Sequence, residues 1–508
     1  MLASEISKMK FLPQLRTRTV AAVAGALLLS VCNQAAAARK PNIVFILADD
    51  LGYMDIGANN PKTFYETPNL NRLAAQGMRF TDGYAACPVC SPTRASILTG
   101  KYPARLQLTD YIGGHRTGKL LPAEYLDHLP LEEVTLAEAL KQAGYTTGIF
   151  GKWHLGTGQY LPEAQGFDVN VGGSGAGSPS SYFSPYRNPK LPDGPNGEYL
   201  NERLTEEALN FIDSNRKQPF LLYLAHYAVH IPLQAKKEVI EKYEAKAAAL
   251  PPSNGPKVLP EGDQQARQVQ DHPVYAAMVQ SLDESVGRIL KKLDELGLAS
   301  NTIVIFFSDN GGLSTTEGMP TSNVPLRAGK GWLYEGGIRE PMLVKWPGTT
   351  RPGSVCSTPV ISTDFYPTIL AMAGLAARPA QHCDGVSLVP LIKRGKAPAR
   401  KAVFWHYPHY GNQGGRPGCA VRSGDWKLIR FFEDNRSELY NLKNDLSEKH
   451  DLCPQMPEKV QELNALLDQF LKETRATLPR PNPDYHPPVR KPQRQEPRPN
   501  RPSVKSTV

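Results

Sequence analysis

The main repeating pattern along the chain is a short run of apolar residues that ends abruptly in polar residues or glycine. Four such runs lie at Asn42–Ala48, 146–150, 219–225 and Thr302–Ser308. Runs that are apolar at nearly every position are typical of strands buried on both faces, as in parallel sheets covered by helices. The sequence therefore predicts an α/β protein built on a largely parallel central sheet.

Stretches with helical spacing of apolar residues separate these strands. They predict helices at 70–76, 201–214, 274–296 and 363–373. No internal repeat is visible. The alternation of strands and helices predicts a main α/β domain over residues 39–397, with helices flanking the sheet.

The pattern changes near residue 398. Short β-type segments separated by turn residues are followed by a stretch with helical periodicity. We therefore expect a C-terminal α+β subdomain over 398–478, a small antiparallel sheet with one helix packed on the main domain. Its strands are predicted at 402–407, 419–422, Trp426–Phe431 and 438–442, and its helix at 457–475.

The two ends of the chain differ from the body. Residues 479–508 contain nine prolines, several arginines and no apolar periodicity, which predicts a disordered tail. In residues 1–38, four basic residues precede an apolar run over 20–31 and alanines at 35–38, the order of a signal peptide. The run is too short for a stable membrane anchor, and no later stretch is apolar for long enough to be transmembrane. Val31 stands where a lipoprotein processing site has a small residue, so we predict no lipid anchor. We predict that the protein is exported to the periplasm or outside the cell.

The charge distribution argues against nucleic-acid binding. Of the formal net charge of +9, residues 1–38 carry +3 and residues 480–508 carry +5, which leaves +1 for the body. Export permits disulfides among the six cysteines that follow the predicted signal peptide. Cys87 and Cys90 have the spacing of a redox motif, but the thioredoxin-type strand and helix are not evident around them.

Polar side chains follow all four apolar runs. Asp49-Asp50 follow the first, Lys152 and His154 the second, His226 and His230 the third, and Asp309-Asn310 the fourth. Open α/β sheets bind ligands at the carboxyl ends of their strands. We therefore expect a polar active site at that edge of the sheet.

Three carboxylates and one amide among these groups predict a metal site. Oxygen ligands of this kind suit Ca²⁺ or Mg²⁺, and the soft ligands of structural zinc sites are missing. An Asp-Asp pair after a strand is by itself commonly a turn or a helix cap. The second acidic group after another strand favours the metal site, with Gly52 permitting the turn that brings both aspartates to one ion. The predicted oxygen ligands are Asp49, Asp50, Asp309 and Asn310.

The segment that begins at Cys90 carries the most specific motif. It reads C-S-P-T-R-A-S-I-L-T-G over 90–100. It resembles the signature of type I sulfatases, C-x-P-x-R followed by four residues and T-G, and matches every fixed position. The alternative is a buried cysteine ahead of a helix that starts at Pro92.

Further segments resemble the same family and follow its order along the chain. They are the strand with paired aspartates at 42–52, G-K-W-H-L-G at 151–156, H-I-P at 230–232, S-D-N-G-G at 308–312 and G-K-G-W-L-Y-E-G-G-I-R-E-P at 329–341. The resemblance implies an alkaline-phosphatase-like α/β fold, hydrolysis of sulfate esters and a bound Ca²⁺, with Mg²⁺ as the alternative. It also implies that a maturation enzyme oxidises Cys90 to formylglycine, whose hydrate attacks sulfur and later expels sulfate.

The resemblance also implies residue roles. Asp309 and His154 remove protons, and His230 and Lys330 serve the leaving oxygen. Arg94 and Lys152 hold the hydrated aldehyde and the sulfate oxygens. Taken singly, a lysine is commonly a surface residue and a histidine a packed one, but their placement beside glycines at strand ends favours catalysis. The implied catalytic residues are Cys90, Arg94, Lys152, His154, His230 and Lys330, and Cys90 is also an implied metal ligand.

The substrate class implied by the resemblance is a sulfated carbohydrate. Candidate substrate contacts flank the catalytic positions or begin the C-terminal subdomain, with core packing as the alternative. Two other functions stay open, a phosphonate or phosphate monoester hydrolase of the same superfamily and a non-catalytic glycan-binding homologue. The candidate contacts are His226, Trp332, His406 and His409, together with Tyr410 and Arg422.

Overall fold

An eight-stranded mixed sheet forms the centre of the protein. The computed structural model describes residues 39–253 and 255–486. The strands of this sheet are β1 Asn42–Ala48, β2 Met78–Phe80, β3 Thr146–Gly151, β4 Val169–Val171, β5 Phe220–Ala225, β6 Thr302–Ser308, β7 Met342–Lys345 and β8 Ser354–Cys356.

The strand order is β8-β2-β7-β6-β1-β5-β3-β4. Neighbours from β6 to β4 run parallel, whereas β7 runs antiparallel to both β6 and β2. The expected largely parallel sheet is confirmed. Asn42–Ala48 and Thr302–Ser308 are strands over the predicted residues, and β3 and β5 differ from the prediction by one residue at one end.

Helices cover both faces of this sheet. Alternate residues of β1 divide between them, because successive side chains of a strand point to opposite faces. The helices are α1 Pro68–Gln76, α2 Cys90–Thr99, α3 Pro103–Leu106, α4 Leu136–Gln142, α5 Leu200–Ser214, α6 Lys237–Ala248, α7 Pro273–Glu295, α8 Glu335–Ile338, α9 Phe365–Met372, α10 Val389–Arg394 and α11 Pro457–Thr474. Val44 and Ile46 pack with α1, α5, α6 and α7, and Phe45 and Leu47 pack with α2, α4, α9 and α10.

A four-stranded antiparallel sheet and α11 form the C-terminal part, as predicted. Its strands, in spatial order, are β9 Val403–Tyr407, β10 Gly418–Ser423, β11 Trp426–Phe431 and β12 Ser437–Asn441. One face packs on α11 through Leu463 and Leu467. The other face packs on the main domain, where the indole nitrogen of Trp405 donates to the Ala85 carbonyl at 2.8 Å.

The chain after α11 corrects one prediction. Arg480–Pro481 pair antiparallel with Leu120–Leu121, and the Asn482 backbone N–H donates to the Lys119 carbonyl at 2.9 Å. The prediction of disorder from residue 479 is therefore wrong for residues 480–482. A proline-rich composition did not prevent pairing here, because a two-residue strand in a two-stranded sheet needs few donors. The predicted signal peptide and the rest of the tail, residues 1–38 and 487–508, lie outside the described residues.

Two further observations bear on the sequence analysis. Within the described part of the chain, no helix has the length and apolar character needed to cross a membrane. The six cysteines from Cys87 to Cys453 in the same part are all free thiols.

A buried ion-pair network joins the C-terminal sheet to the main domain. The fully buried Lys427 ammonium lies 2.9 Å from a Glu335 carboxylate oxygen and 2.8 Å from one of Glu448. The second Glu335 oxygen accepts from Arg339 at 2.6 Å. Glu335 begins α8, five residues after Lys330, so the C-terminal sheet supports this part of the main domain.

Replacing Lys427 should therefore destabilise the protein strongly. Lys427→Ala leaves two buried carboxylates without their shared cation, which costs about 3–5 kcal/mol in comparable buried pairs. The measurement is the urea midpoint of unfolding, with Lys443→Ala as the control because Lys443 is exposed. Equal midpoints for the two variants would show that the pair does not hold the two parts together.

Candidate active site

The carboxyl ends of four neighbouring strands bring the predicted polar residues together. β1 leads to Asp49 and Asp50, β3 to Lys152 and His154, β5 to His230, and β6 to Asp309 and Asn310. The N-terminus of α2 contributes Cys90 and Arg94, and the loop before α8 contributes Lys330. The six residues predicted as catalytic and the four predicted oxygen ligands thus converge at one edge of the sheet.

Buried cations separate the three carboxylates. The Lys152 ammonium lies 2.6 Å from Asp49 Oδ2, and the Lys330 ammonium lies 2.8 Å from Asp50 Oδ2. The Arg94 guanidinium donates through Nε to Asp309 Oδ2 at 2.8 Å. Each of the three cations is at least 96 % buried, so these pairs are shielded from solvent.

The two neighbouring aspartates have opposite pKa shifts. Burial and the nearby Asp309 charge raise the pKa of Asp49 well above its ordinary value, despite Lys152. Burial opposes ionisation of Asp50 too, but the adjacent Lys330 outweighs it and holds the pKa of Asp50 below its ordinary value. The electrostatic surroundings of these two neighbouring carboxylates therefore differ.

The donor set fits a hard divalent cation. Asp49 Oδ1 and Asn310 Oδ1 are buried and have no hydrogen-bond partner among the described residues. Both are acceptor atoms, and an unsatisfied buried acceptor is costly. One ligand atom each of Asp49, Asp50 and His230 lies within 4.8 Å of the others. Oxygen atoms dominate the set, as Ca²⁺ and Mg²⁺ require.

The turn after β1 differs in detail from the prediction. Asp50 itself takes a left-handed conformation with φ of 63°, which aspartate tolerates better than most residues. Gly52 has an ordinary φ of −65° and is needed for space instead. A Cβ there would lie 2.5 Å from Asn323 Oδ1 and 2.9 Å from Asp55 Oδ2. The close approach lets the Gly52 N–H donate to Asp55.

Cys90 and His154 face each other. Cys90 Sγ lies 3.3 Å from His154 Nδ1, and His154 Nε2 lies 3.3 Å from the Ile112 carbonyl oxygen. Burial, then the charges of Lys152 and Arg94, lower the pKa of His154 well below its ordinary value. A neutral imidazole with its proton on Nε2 satisfies the carbonyl and presents Nδ1 as an acceptor to residue 90.

His230 and Lys330 lie on the other side of Asp50. His230 Nε2 is 3.7 Å from Asp50 Oδ2, and its Nδ1 is 2.9 Å from the Ile231 carbonyl. Burial opposes the charge of Lys330, but the carboxylate of Asp50 outweighs it and raises the pKa of the Lys330 ammonium. Lys330 therefore stays protonated, whereas burial and Lys330 lower the pKa of His230.

The candidate substrate contacts have other partners within the protein. His226 is fully buried with Nε2 3.0 Å from Ser285 Oγ, and Trp332 donates to the Gln413 carbonyl at 2.8 Å. His406 lies 2.9 Å from the Thr477 carbonyl, and Arg422 pairs with Asp82 at 2.6 Å. These contacts favour packing roles for His226, Trp332, His406 and Arg422.

His409 and Tyr410 contact the segment that follows Thr109. His409 Nε2 lies 2.8 Å from Thr109 Oγ1 and its ring packs edge-on against Tyr125. The Tyr410 hydroxyl accepts from the Leu120 N–H at 3.1 Å. Both residues therefore support the loop that runs from Thr109 to Leu120, above Cys90.

The structure adds residues that the sequence patterns did not indicate. Glu317 accepts from Asn412 and interacts electrostatically with Lys330. Burial raises the pKa of Asp110 to about 8, and this carboxyl group accepts from the Tyr407 hydroxyl at 3.1 Å. These residues lie in loops without periodicity, so no signal in this sequence points to them.

Comparison with protein families identifies the chain. A family model described as Sulfatase matches residues 41–375. The chain belongs to the sulfatase family. A second model, the C-terminal part of N-sulphoglucosamine sulphohydrolase, matches residues 328–477. The protein is accordingly an enzyme that hydrolyses sulfate esters, and the resemblance noted at Cys90 is confirmed.

Individual sulfatases match over most of their length. A sulfatase of Formosa agariphila is 32% identical, covering 82% of this chain and 85% of its own. The mouse N-acetylgalactosamine-6-sulfatase is 34% identical, with 83% and 76% covered, and human arylsulfatase A is 35% identical, with 80% and 78% covered.

Solved sulfatase structures share the fold. The crystal structure of Ps i-CgsB in complex with k-i-k-neocarrahexaose superposes with a TM-score of 0.71 at 31% identity. The match covers 85% of this chain and 93% of that one. The expected fold class is therefore confirmed.

The space at Gly52 generates a prediction for sulfatase activity. Gly52→Ala should displace the turn that aims Asp49 and Asp50, and overpacking of this kind costs about 1–3 kcal/mol. We expect a large loss of kcat for 4-nitrophenyl sulfate together with a lower Tm. Gly255→Ala is the control, since no atom lies within 4 Å of a Cβ at that position. Unchanged activity in Gly52→Ala would refute the role of this close approach.

Proposed function

We propose that the protein is an exported sulfatase that removes sulfate from carbohydrates, with Cys90 oxidised to formylglycine and a Ca²⁺ ion bound beside it. The observation that carries the proposal is the position of Cys90. Its Sγ lies at the start of α2, 3.3 Å from Nδ1 of His154. The acidic cluster and three buried cations surround the same helix end.

The proposed metal ligands are Asp49, Asp50, Asp309, Asn310 and residue 90. The unsatisfied oxygens of Asp49 and Asn310 support this assignment. A bound divalent cation supplies positive charge that neutralises the carboxylates and lowers the pKa of a bound hydroxyl. Mg²⁺ would supply the same chemistry and is the alternative ion.

The proposed nucleophile derives from Cys90. Its oxidation by a maturation enzyme supplies a hydrated aldehyde with one hydroxyl for attack on sulfur and a second for release of sulfate. His154 accepts a proton at Nδ1, the atom that faces residue 90. Asp309 is the second proposed base, and Arg94 holds its carboxylate in place.

The remaining catalytic residues act on the sulfate group and on the leaving alcohol. Lys152 and Arg94 supply positive charge where negative charge develops on the sulfate oxygens. Lys330 is a protonated donor, and His230 lies with it on the far side of Asp50. Together they protonate and orient the leaving oxygen, which is the atom that joins sulfate to the sugar.

The carbohydrate substrate is supported by relatives. One is named N-acetylgalactosamine-6-sulfatase, and another was solved with k-i-k-neocarrahexaose. We propose that residues 1–38 direct export and are removed. We further propose a catalytic domain at 39–397, a C-terminal subdomain at 398–478 and a tail from 479 onward.

Cys90→Ala tests the proposed nucleophile. Without this side chain the site has no group that can form the aldehyde, so turnover of 4-nitrophenyl sulfate should be lost while the Tm changes little. Cys87→Ala is the matched control, because Cys87 is a buried cysteine of the same segment. In protein made beside a maturation enzyme, mass spectrometry of the peptide that contains residue 90 should show an aldehyde.

An active Cys90→Ala protein would contradict this mechanism. The same assay separates the alternative functions. Faster turnover of 4-nitrophenyl phosphate or a phenyl phosphonate than of the sulfate would favour a phosphonate or phosphate monoester hydrolase. Absence of any turnover, combined with oligosaccharide binding, would favour a glycan-binding homologue.

Removal of the cation should lower both stability and activity. Chelation leaves three carboxylates converging, and a ligand present at 100 times its Kd stabilises the folded state by about 2.7 kcal/mol. We expect a lower Tm after chelation, restored by added Ca²⁺, and a similar loss in Asp309→Ala. Asp294→Ala is the control, since Asp294 is exposed. Full activity in protein shown by elemental analysis to contain no metal would refute the site.

A further inference from the structure

We propose that a cleft beside the active site is a second carbohydrate subsite, which binds the anionic sugar next to the one that carries the scissile sulfate. We call it the entrance cleft. The inference rests on the proposed carbohydrate substrate. The cleft has a volume of about 560 Å³, and its lining includes Arg116, Lys119, Tyr410, Arg416, Glu433 and Tyr485.

The first wall of the entrance cleft is continuous with the catalytic centre. The Ile112 backbone N–H donates to Ser91 Oγ at 3.2 Å, next to Cys90. The Ile112 carbonyl oxygen lies 3.3 Å from His154 Nε2. His115 follows three residues later, and three residues span at most about 10 Å. Since Ile112 contacts Ser91 and His154, this wall begins within about 10 Å of a residue that touches both neighbours of the proposed nucleophile.

The second wall lies against the residue that follows Lys330. The loop from Gly411 to Arg416 packs so tightly there that a Cβ on Gly415 would lie 1.7 Å from the Gly331 carbonyl oxygen. Lys330 is proposed to protonate the leaving oxygen. Since that oxygen belongs to the sugar, the remainder of the substrate leaves the catalytic centre on the side where this wall begins.

The third wall comes from the chain beyond the C-terminal helix. Arg480–Pro481 pair with Leu120–Leu121, and Asn482 Nδ2 donates to the Gly118 carbonyl at 2.9 Å. This pairing brings the half-exposed Tyr485 ring to the cleft. Tyr410 also lines the cleft, and its hydroxyl donates to Glu433 at 2.7 Å, which fixes its position. Two aromatic rings with polar tips suit the mixed surface of a sugar.

The charges of the entrance cleft favour an anionic sugar. Arg416 lies 2.9 Å from Asp263, and Lys119 lies 3.8 Å from Glu433. Arg116 is exposed and has no ion-pair partner within residues 39–253 and 255–486. Three permanent cations thus face two carboxylates, and Arg116 is the one left for a ligand. A sulfate or carboxylate on the neighbouring sugar would provide the missing partner.

The size of the entrance cleft agrees with this ligand. Sites for small ligands commonly measure about 300–1,000 Å³, and the cleft lies within that range. It is open to solvent along the loop of exposed residues from His115 to Thr117. A longer chain can therefore continue past it.

The test compares a substrate that reaches the entrance cleft with one that does not. Arg116→Ala, Tyr485→Ala and a chain that ends at Pro479 are each assayed with 4-nitrophenyl sulfate, a chondroitin 6-sulfate hexasaccharide and a neocarrahexaose. The test substrate is the hexasaccharide that the unmodified enzyme desulfates. For this substrate we expect each of the three variants to lower kcat/KM about tenfold or more, mostly through a higher KM. Turnover of 4-nitrophenyl sulfate should stay within about twofold of that of the unmodified enzyme. This small substrate does not reach the entrance cleft and so loses no binding there. Arg394→Ala is the control, as an exposed arginine elsewhere on the surface.

A second measurement is independent of turnover. In Cys90→Ala protein, calorimetry should show that one hexasaccharide binds more tightly than its sulfated monosaccharide. The gain should be lost in the Arg116→Ala double variant and should shrink as salt rises, since salt screens exposed charges. If neither hexasaccharide gains over its monosaccharide, or if both point variants keep full kcat/KM on it, the subsite is refuted. Persisting 4-nitrophenyl sulfate turnover would then leave the sulfatase function intact, whereas its absence in the unmodified enzyme would refute the proposed function itself.

Discussion

Mutual repulsion among Asp49, Asp50 and Asp309 is the constraint on which the rest of the structure depends. Three carboxylates brought together out of water would protonate or move apart unless positive charge lay between them. The protein supplies three buried cations, each from a different segment, and leaves oxygens of Asp49 and Asn310 without partners. Charge compensation and unpaired buried acceptor oxygens therefore exist in one place.

The sheet produces this arrangement through strand length and register. β1 and β6 are both seven residues long and pair in parallel with Ala48 beside Ser308. Asp49 and Asp309 consequently leave the sheet at the same level, and the Asp309 N–H donates to the Ala48 carbonyl at 3.2 Å. A shift of one residue in either strand would turn its side chains to the opposite face. The apolar residues that fix the register of these two strands thus also fix the positions of the two carboxylates.

The connection between apolar strands and the polar groups that follow them explains which features the sequence could predict. Strands that are apolar throughout have sharp ends, so β1, β6 and the groups that follow them were predictable from pattern alone. The β7 segment is short and runs antiparallel, and the loops that hold Glu317 and Asn412 have no periodicity. The pairing of Arg480–Pro481 with Leu120–Leu121 joins residues about 360 positions apart. Composition indicates only that this segment lacks the apolar residues of a core, and it carries no information about pairing with a distant strand.

The C-terminal part stabilises the catalytic centre from a distance. Lys330 is the cation of Asp50, and its loop leads directly into α8, where Glu335 is paired with Lys427 of the C-terminal sheet. Because the loop is held at both ends, Lys330 keeps its ammonium at Asp50 without help from solvent. The same C-terminal part supplies the Gly411 to Arg416 loop that packs on Gly331. One packing surface thus fixes both a charge of the candidate active site and the second wall of the proposed entrance cleft.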